Sequence, residues 1–215
     1  MEVHPIKMPY AMQSKFLISL LLAGTYWVCT PAACQTLSAI SDSDGNTYIV
    51  KVMPDGNQWM TQDLNIRVDS SWCFADDPSN CKVYGRLYTY ISAAEACEMM
   101  GDGWHLPSQK DWETLSDHYG GASNKSKDWG KAAYKALQTG GESGFNATLG
   151  GNREPGGVKY ARLNGHGFYW TTTEIDAQTA WNYNFGAGGK ALHCQNGMGK
   201  GEGASVRCIK IPVKN

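Results

Sequence analysis

The chain has 215 residues, a formal charge of -1 and 42% hydrophobic residues, enough for a leader and one domain with a full core. A charge so near zero excludes nucleic acid as a partner, because a phosphate binder needs clustered Lys and Arg. Eight Trp, eleven Tyr and 25 Gly suit a loop-rich domain with several aromatics in its core.

Residues 1–34 read as an export signal. Lys15 precedes the apolar run Phe16-Leu17-Ile18-Ser19-Leu20-Leu21-Leu22-Ala23-Gly24, too short to span a bilayer securely. Pro31-Ala32-Ala33-Cys34 then supplies the small residues of a cleavage site. Cleavage before Cys34 would leave a lipidated cysteine, and cleavage after it would leave Gln35 first; the sequence allows both. The chain is therefore expected at the cell surface or outer membrane, or secreted, touching membrane only through such an anchor.

Residues 35–43 are small and polar and read as a tether. Tyr48, Val50 and Val52 alternate with polar neighbours as a strand does, Asp55-Gly56 signals a hairpin, and Gln58–Leu64 returns. Cys73 and Cys81 flank a turn-rich loop that a local disulfide would staple. A strand is expected at Arg86–Tyr90. A helix opened by Ser92 and Glu95 follows, with Ala93, Ala96, Cys97 and Met100 as its stripe. Ser108 and Asp111 open another, burying Trp112, Leu115 and Tyr119. A third is expected over Lys127–Gln138, with Trp129, Ala132, Ala133, Ala136 and Leu137 on one face. Residues 139–167 read as a long irregular region. Phe168–Thr173, Ala180–Phe185 and Ala204–Ile211 read as closing strands, with a glycine-rich excursion from Gly186 to Gly203.

Tyr84-Gly85-Arg86-Leu87-Tyr88-Thr89-Tyr90, Ala93-Ala94-Glu95-Ala96-Cys97, Gly103-Trp104-His105-Leu106-Pro107-Ser108, Tyr169-Trp170-Thr171-Thr172-Thr173-Glu174 and Ser205-Val206-Arg207-Cys208 occur in that order. Over residues 44–212 the chain thereby resembles the Fibrobacter succinogenes major paralogous domain, a bacterial surface family akin to the C-type lectin-like fold. The resemblance implies an α+β fold of antiparallel strands, two to three helices and long irregular loops. It also implies a bridge between Cys97 and Cys208, which leaves Cys194 over, either as a buried thiol or as a reactive one. The segment from Tyr169 to Cys208 further resembles the variable end of C-type lectin-like proteins diversified by bacterial retroelements, where exposed asparagine codons are rewritten on a fixed framework.

Catalytic signatures are missing. The chain has no His-Glu-x-x-His pair, no Gly-x-Ser-x-Gly elbow and no short Cys/His metal spacing. The fold is similar to that of formylglycine-generating enzymes, but Cys208 belongs to the implied bridge and Cys194 stands alone, so no catalytic residue carries over. His105 reads as a turn or core histidine. Sugar-binding C-type lectins hold calcium with Glu-Pro-Asn and Trp-Asn-Asp; Glu154-Pro155-Gly156 and Trp181-Asn182-Tyr183 each lack an oxygen ligand, and calcium needs about six to eight. No cofactor is expected.

The closing region carries the binding expectation. Trp181, Tyr183 and Phe185 alternate with Asn182 and Asn184, so the aromatic set packs inward and the amides point outward. Beside them lie His193, Gln195, Asn196 and Met198, with Trp170 on the preceding strand. Amides, an imidazole and a flexible thioether make an adaptable contact surface. The expected function is non-catalytic binding of a surface ligand, glycan or protein, with loop 152–156 contributing. A structural envelope or fibre component is the alternative, and a degenerate enzyme the third reading.

Overall fold

The computed structural model describes Met1, residues 37–157 and residues 159–212. The rest of the expected leader, with Cys29 and Cys34, lies outside the described residues, as does the start of the tether. In chain order the elements are β1 (Ser38–Ser41), β2 (Thr47–Val52), β3 (Gln58–Met60), β4 (Ser71–Trp72), α1 (Pro78–Tyr84), β5 (Leu87–Tyr88), α2 (Tyr90–Glu98), α3 (Gln109–Asp117) and α4 (Lys131–Leu137). They continue with β6 (Asn152–Arg153), β7 (Tyr160–Ala161), β8 (His166–Glu174), β9 (Thr179–Gly186), β10 (Ala191–Gly199) and β11 (Ile209–Lys210). Four helices with antiparallel sheets make the fold α+β.

The first sheet has the order β1-β2-β3-β11. Tyr48 and Val50 on β2 are buried, so the expected alternation holds. Ser38–Ser41 is not tether but an edge strand, with Ser38 opposite Val50. Its small polar sequence conceals it, because only Ile40 reaches the core.

Each helix starts where a side chain satisfies free backbone N–H groups. Ser108 and Asp111 form the expected capping box of α3. α2 starts three residues earlier than Ser92 predicts: Thr89 Oγ1 accepts from Ser92 N–H, while Ser92 Oγ donates to Ser70 C=O at 2.9 Å. Within the loop from Cys73 to Cys81 an unexpected helix begins, since Asp77 caps α1 and Pro78 occupies its first turn. α4 is shorter than expected. Gly130, in left-handed conformation at φ +80, precedes it, and a Cβ there would collide with Leu192 C=O. Trp129 therefore falls before the helix and is exposed rather than on its buried face.

β8, β9 and β10 form the second sheet, in the order β10-β9-β8. β10 occupies what reads in sequence as an excursion; Leu192 and Cys194 pack inward while a bulge between Gln195 and Met198 breaks the alternation. Conversely, the expected strand Ala204–Ile211 is regular only at β11. Its buried earlier part pairs piecemeal, Ala204 with Tyr88, Ser205 N–H with Phe168 C=O, Val206 C=O with Leu64 N–H and Cys208 C=O with Met60 N–H.

Two hydrophobic clusters flank this segment. One gathers Tyr48, Val50, Leu64, Tyr88, Ala93, Trp104, Trp170 and Val206. The other centres on Trp112, whose ring stacks on Tyr183 at 5.1 Å and meets Trp59 edge-on at 5.2 Å. Disulfides join Cys73 to Cys81 and Cys97 to Cys208. They fit a periplasmic or extracellular environment. Among the described residues no helix is long and apolar enough to cross a membrane.

Candidate functional site

Residues facing each other on antiparallel strands share a sheet face. Asn182 on β9 lies opposite Gln195 on β10 and Trp170 on β8, and Asn184 opposite His193 and Phe168. This face therefore carries the amides, while Tyr169, Tyr183, Phe185 and Leu192 turn to the Trp112 cluster. Tyr183 and Phe185 pack inward as expected; Trp181 is half-buried.

A groove of about 540 Å³ opens over the amide face. Asn182, Asn184, Gln195, Asn196 and Met198 line it, together with Asn152, Arg162, His166, Phe168 and Glu202. Five of the seven expected binding residues thus come together. Asn182 and Asn184 do not project into solvent, however. They are only 2% and 3% exposed, because Asn152, Arg162 and Glu202 from distant parts of the chain wall the groove around them. Trp170 is not available at all: it is fully buried and its Nε1–H donates to Tyr88 C=O at 2.7 Å. His193 is outside the groove, its Nδ1 bonded to Ser123 Oγ at 2.8 Å, and burial holds its pKa below the ordinary value.

The groove floor is a chain of amides. Asn184 Nδ2 donates to Gln195 Oε1 at 3.1 Å, which leaves Asn184 Oδ1 to accept from His166 Nδ1 at 3.0 Å. Neutral His166 accordingly carries its proton on Nδ1 and keeps Nε2 as an acceptor. The imidazole also stacks on the Phe168 ring, 5.5 Å between centroids. On the wall, Arg162 Nη1 donates to Asn152 Oδ1 at 3.0 Å, and Asn152 Nδ2 reaches Glu202 Oε2 at 3.4 Å. Asn182 is different. Its Nδ2 makes only a 3.5 Å contact with Gln195 C=O, and its Oδ1 has no hydrogen-bond partner among the described residues. A buried acceptor left unpaired costs about 1–3 kcal/mol; Trp112 Nε1, Arg153 Nε and Ser205 Oγ are also buried without a partner among the described residues.

Sequence reasoning missed Arg162, His166, Phe168 and Glu202. Phe168 was legible, because it sits two positions before Trp170 on the same strand. Nothing local marks Arg162 or Glu202.

The remaining reactive groups are occupied. Cys194 receives a hydrogen bond from Gln109 Nε2 at 3.5 Å, and burial raises its pKa, so its thiol stays protonated and weakly nucleophilic. His105 Nδ1 bonds Gly103 C=O at 2.9 Å. Glu154 faces Lys159 at 3.4 Å and Arg162 at 3.8 Å. Among the described residues no three His, Cys, Asp or Glu side chains cluster as a metal site would require.

The family model of the Fibrobacter succinogenes major domain matches residues 25–210. The chain belongs to that family. No curated protein and no solved structure matches it. The matched span contains the whole groove and both disulfides of this Fibrobacter succinogenes major domain.

Proposed function

We propose that this chain is a non-catalytic ligand-binding domain of C-type lectin-like fold, exported to the bacterial surface, and that the groove over β8–β10 receives the ligand. One observation carries this reading: Asn182 Oδ1, buried and unpartnered at the floor of an amide-lined groove. A concave site that gathers several polar side chains and leaves one of them an unpaired acceptor is the default place for a ligand. The bridge from α2 to the segment before β11 and the long connections around the groove support the C-type lectin-like assignment.

The test is retention of the exported chain on a panel of immobilised glycans, with and without EDTA, for the wild type, N182L and N184L. The wild type is expected to retain a subset of the glycans, unaffected by chelator, and N182L to weaken it at least tenfold. Equal behaviour of wild type and N182L, on glycans and in adhesion of cells displaying the chain, would instead support a structural envelope role.

A second reading concerns the origin of the groove. Four of its side chains, Asn182, Asn184, Gln195 and Asn196, lie within the segment resembling retroelement-diversified proteins. Sequencing the 3′ end of the gene in sibling isolates should then find substitutions at these codons while those for Tyr183, Phe185, Arg207 and Cys208 stay constant.

A further inference from the structure

A second cleft, of about 530 Å³, separates α4 from the turn between β9 and β10; Lys131, Tyr134, Lys135, Gln138, Gly188, Gly189 and Lys190 line it. Its position is fixed by backbone bonds, with Leu192 N–H donating to Gly130 C=O at 3.1 Å and Ser123 N–H to Leu192 C=O at 2.8 Å. Lys131 and Lys135 are one helical turn apart and so share a face, and Lys190 comes from the opposing turn. All three are exposed, and none is in an ion pair among the described residues. Among the described residues no carboxylate lines the cleft. Asp128, on the approach to α4, accepts from Gly130 and Ala132 N–H instead.

The turn adds donors of its own. Gly188 and Gly189 N–H make no hydrogen bond among the described residues, and a Cβ at Gly188 would meet nothing within 4 Å. Bare amides in a glycine turn beside lysines form a concavity that favours oxyanions. Trp129, two positions before Lys131 and outside the residues that line the cleft, is 71% exposed and held before the helix at φ +62. Its exposed indole is a flat apolar face two positions from Lys131 in the sequence.

We infer that this cleft is a second binding site, for the sulfate, phosphate or carboxylate groups of an anionic polysaccharide, with Trp129 covering a sugar ring. Its concave form, with Tyr134 in the lining and three lysines around it, suits a discrete charged group on a polymer. A lipid surface would call for a broad face with several apolar and basic side chains. Nucleic acid needs a more extended basic surface than three lysines on a chain of net charge -1.

The test uses the exported chain with dextran sulfate, with uncharged dextran and with vesicles of phosphatidylglycerol and phosphatidylcholine. Dextran sulfate is expected to bind and to shift Trp129 fluorescence, with affinity falling about 20- to 40-fold between 50 and 200 mM salt as three charges are released. The triple variant K131Q/K135Q/K190Q should lose at least tenfold, and W129A several-fold and the fluorescence change. These positions are exposed, so the variants keep their fold, which circular dichroism checks. Undiminished binding by the triple variant would overturn the proposal, and so would binding to the vesicles without binding to dextran sulfate.

Discussion

Arg207 Nε donates to Asp63 Oδ1 at 2.5 Å although 144 positions separate them, and both side chains are sealed from solvent. The rest of the guanidinium is satisfied by Met60, Phe145 and Asn146 carbonyls, and Thr148 Oγ1 donates to the other carboxylate oxygen. This explains the Ser205-Val206-Arg207-Cys208 motif: one residue holds an ion pair and the next a disulfide. Removing one partner of such a pair costs about 3–5 kcal/mol, since the other charge stays buried. D63L is therefore expected to lose about that much by urea unfolding, and D63L/R207M to recover a substantial part of it. Additive losses in the double variant would sink this account.

The two disulfides should differ in weight. Cys97–Cys208 spans 111 positions and Cys73–Cys81 spans 8. Because a longer closed loop restricts the unfolded chain more, C97S/C208S should cost about 4–5 kcal/mol and C73S/C81S about 2–3 kcal/mol. Urea midpoints of the two double-serine variants measure the ordering, and a reversed order would contradict it.

The neighbouring asparagines should separate stability from binding. Asn182 Oδ1 has no partner, so N182L is expected to be neutral or stabilising, within about 1 kcal/mol, while abolishing ligand retention. Asn184 bonds both His166 and Gln195. Its leucine variant strands two polar groups and should lose about 1–3 kcal/mol as well as binding. Thermal melts beside the glycan panel distinguish the two.

His193 gives the fold a defined response to acid. Burial, and then the neighbouring His166 charge, lower its pKa from 6.5. As pH falls below 6.5 the unfolded chain takes up the proton first, so stability present above 6.5 declines as pH drops toward the folded value. H193Q should reduce the loss of urea midpoint between pH 7.5 and pH 5. An unchanged loss would assign it to other groups.

What could be read from sequence depended on how local the signal was. The capping box of Ser108 and Asp111 is complete within four residues, so the start of α3 was legible. The alternation of Tyr183 and Phe185 with Asn182 and Asn184 likewise assigned the sheet faces. α1 was hidden because the cysteines drew its residues into a loop, although Asp77-Pro78 is a helix-start signal. β10 was hidden by its glycines and polar residues, although Leu192 and Cys194 keep the inward period. The burial of Asn182 and Asn184 had no local signature, because the groove walls come from Asn152, Arg162 and Glu202. Trp129 misled because its spacing fits a helical face that Gly130 prevents from forming.

Every partner of the segment Ala204–Ile209 precedes it in the chain: Tyr88, Phe168, Leu64, Met60 and His105 all wait for its backbone. During synthesis the ribosome therefore delivers each layer before the piece that fastens the layers together. Until that piece arrives, none of these backbone bonds can form and the layers have no common fastener. The same segment brings Cys208 to Cys97, so its docking and the closure of the long bridge are one event, completed only in an oxidising medium.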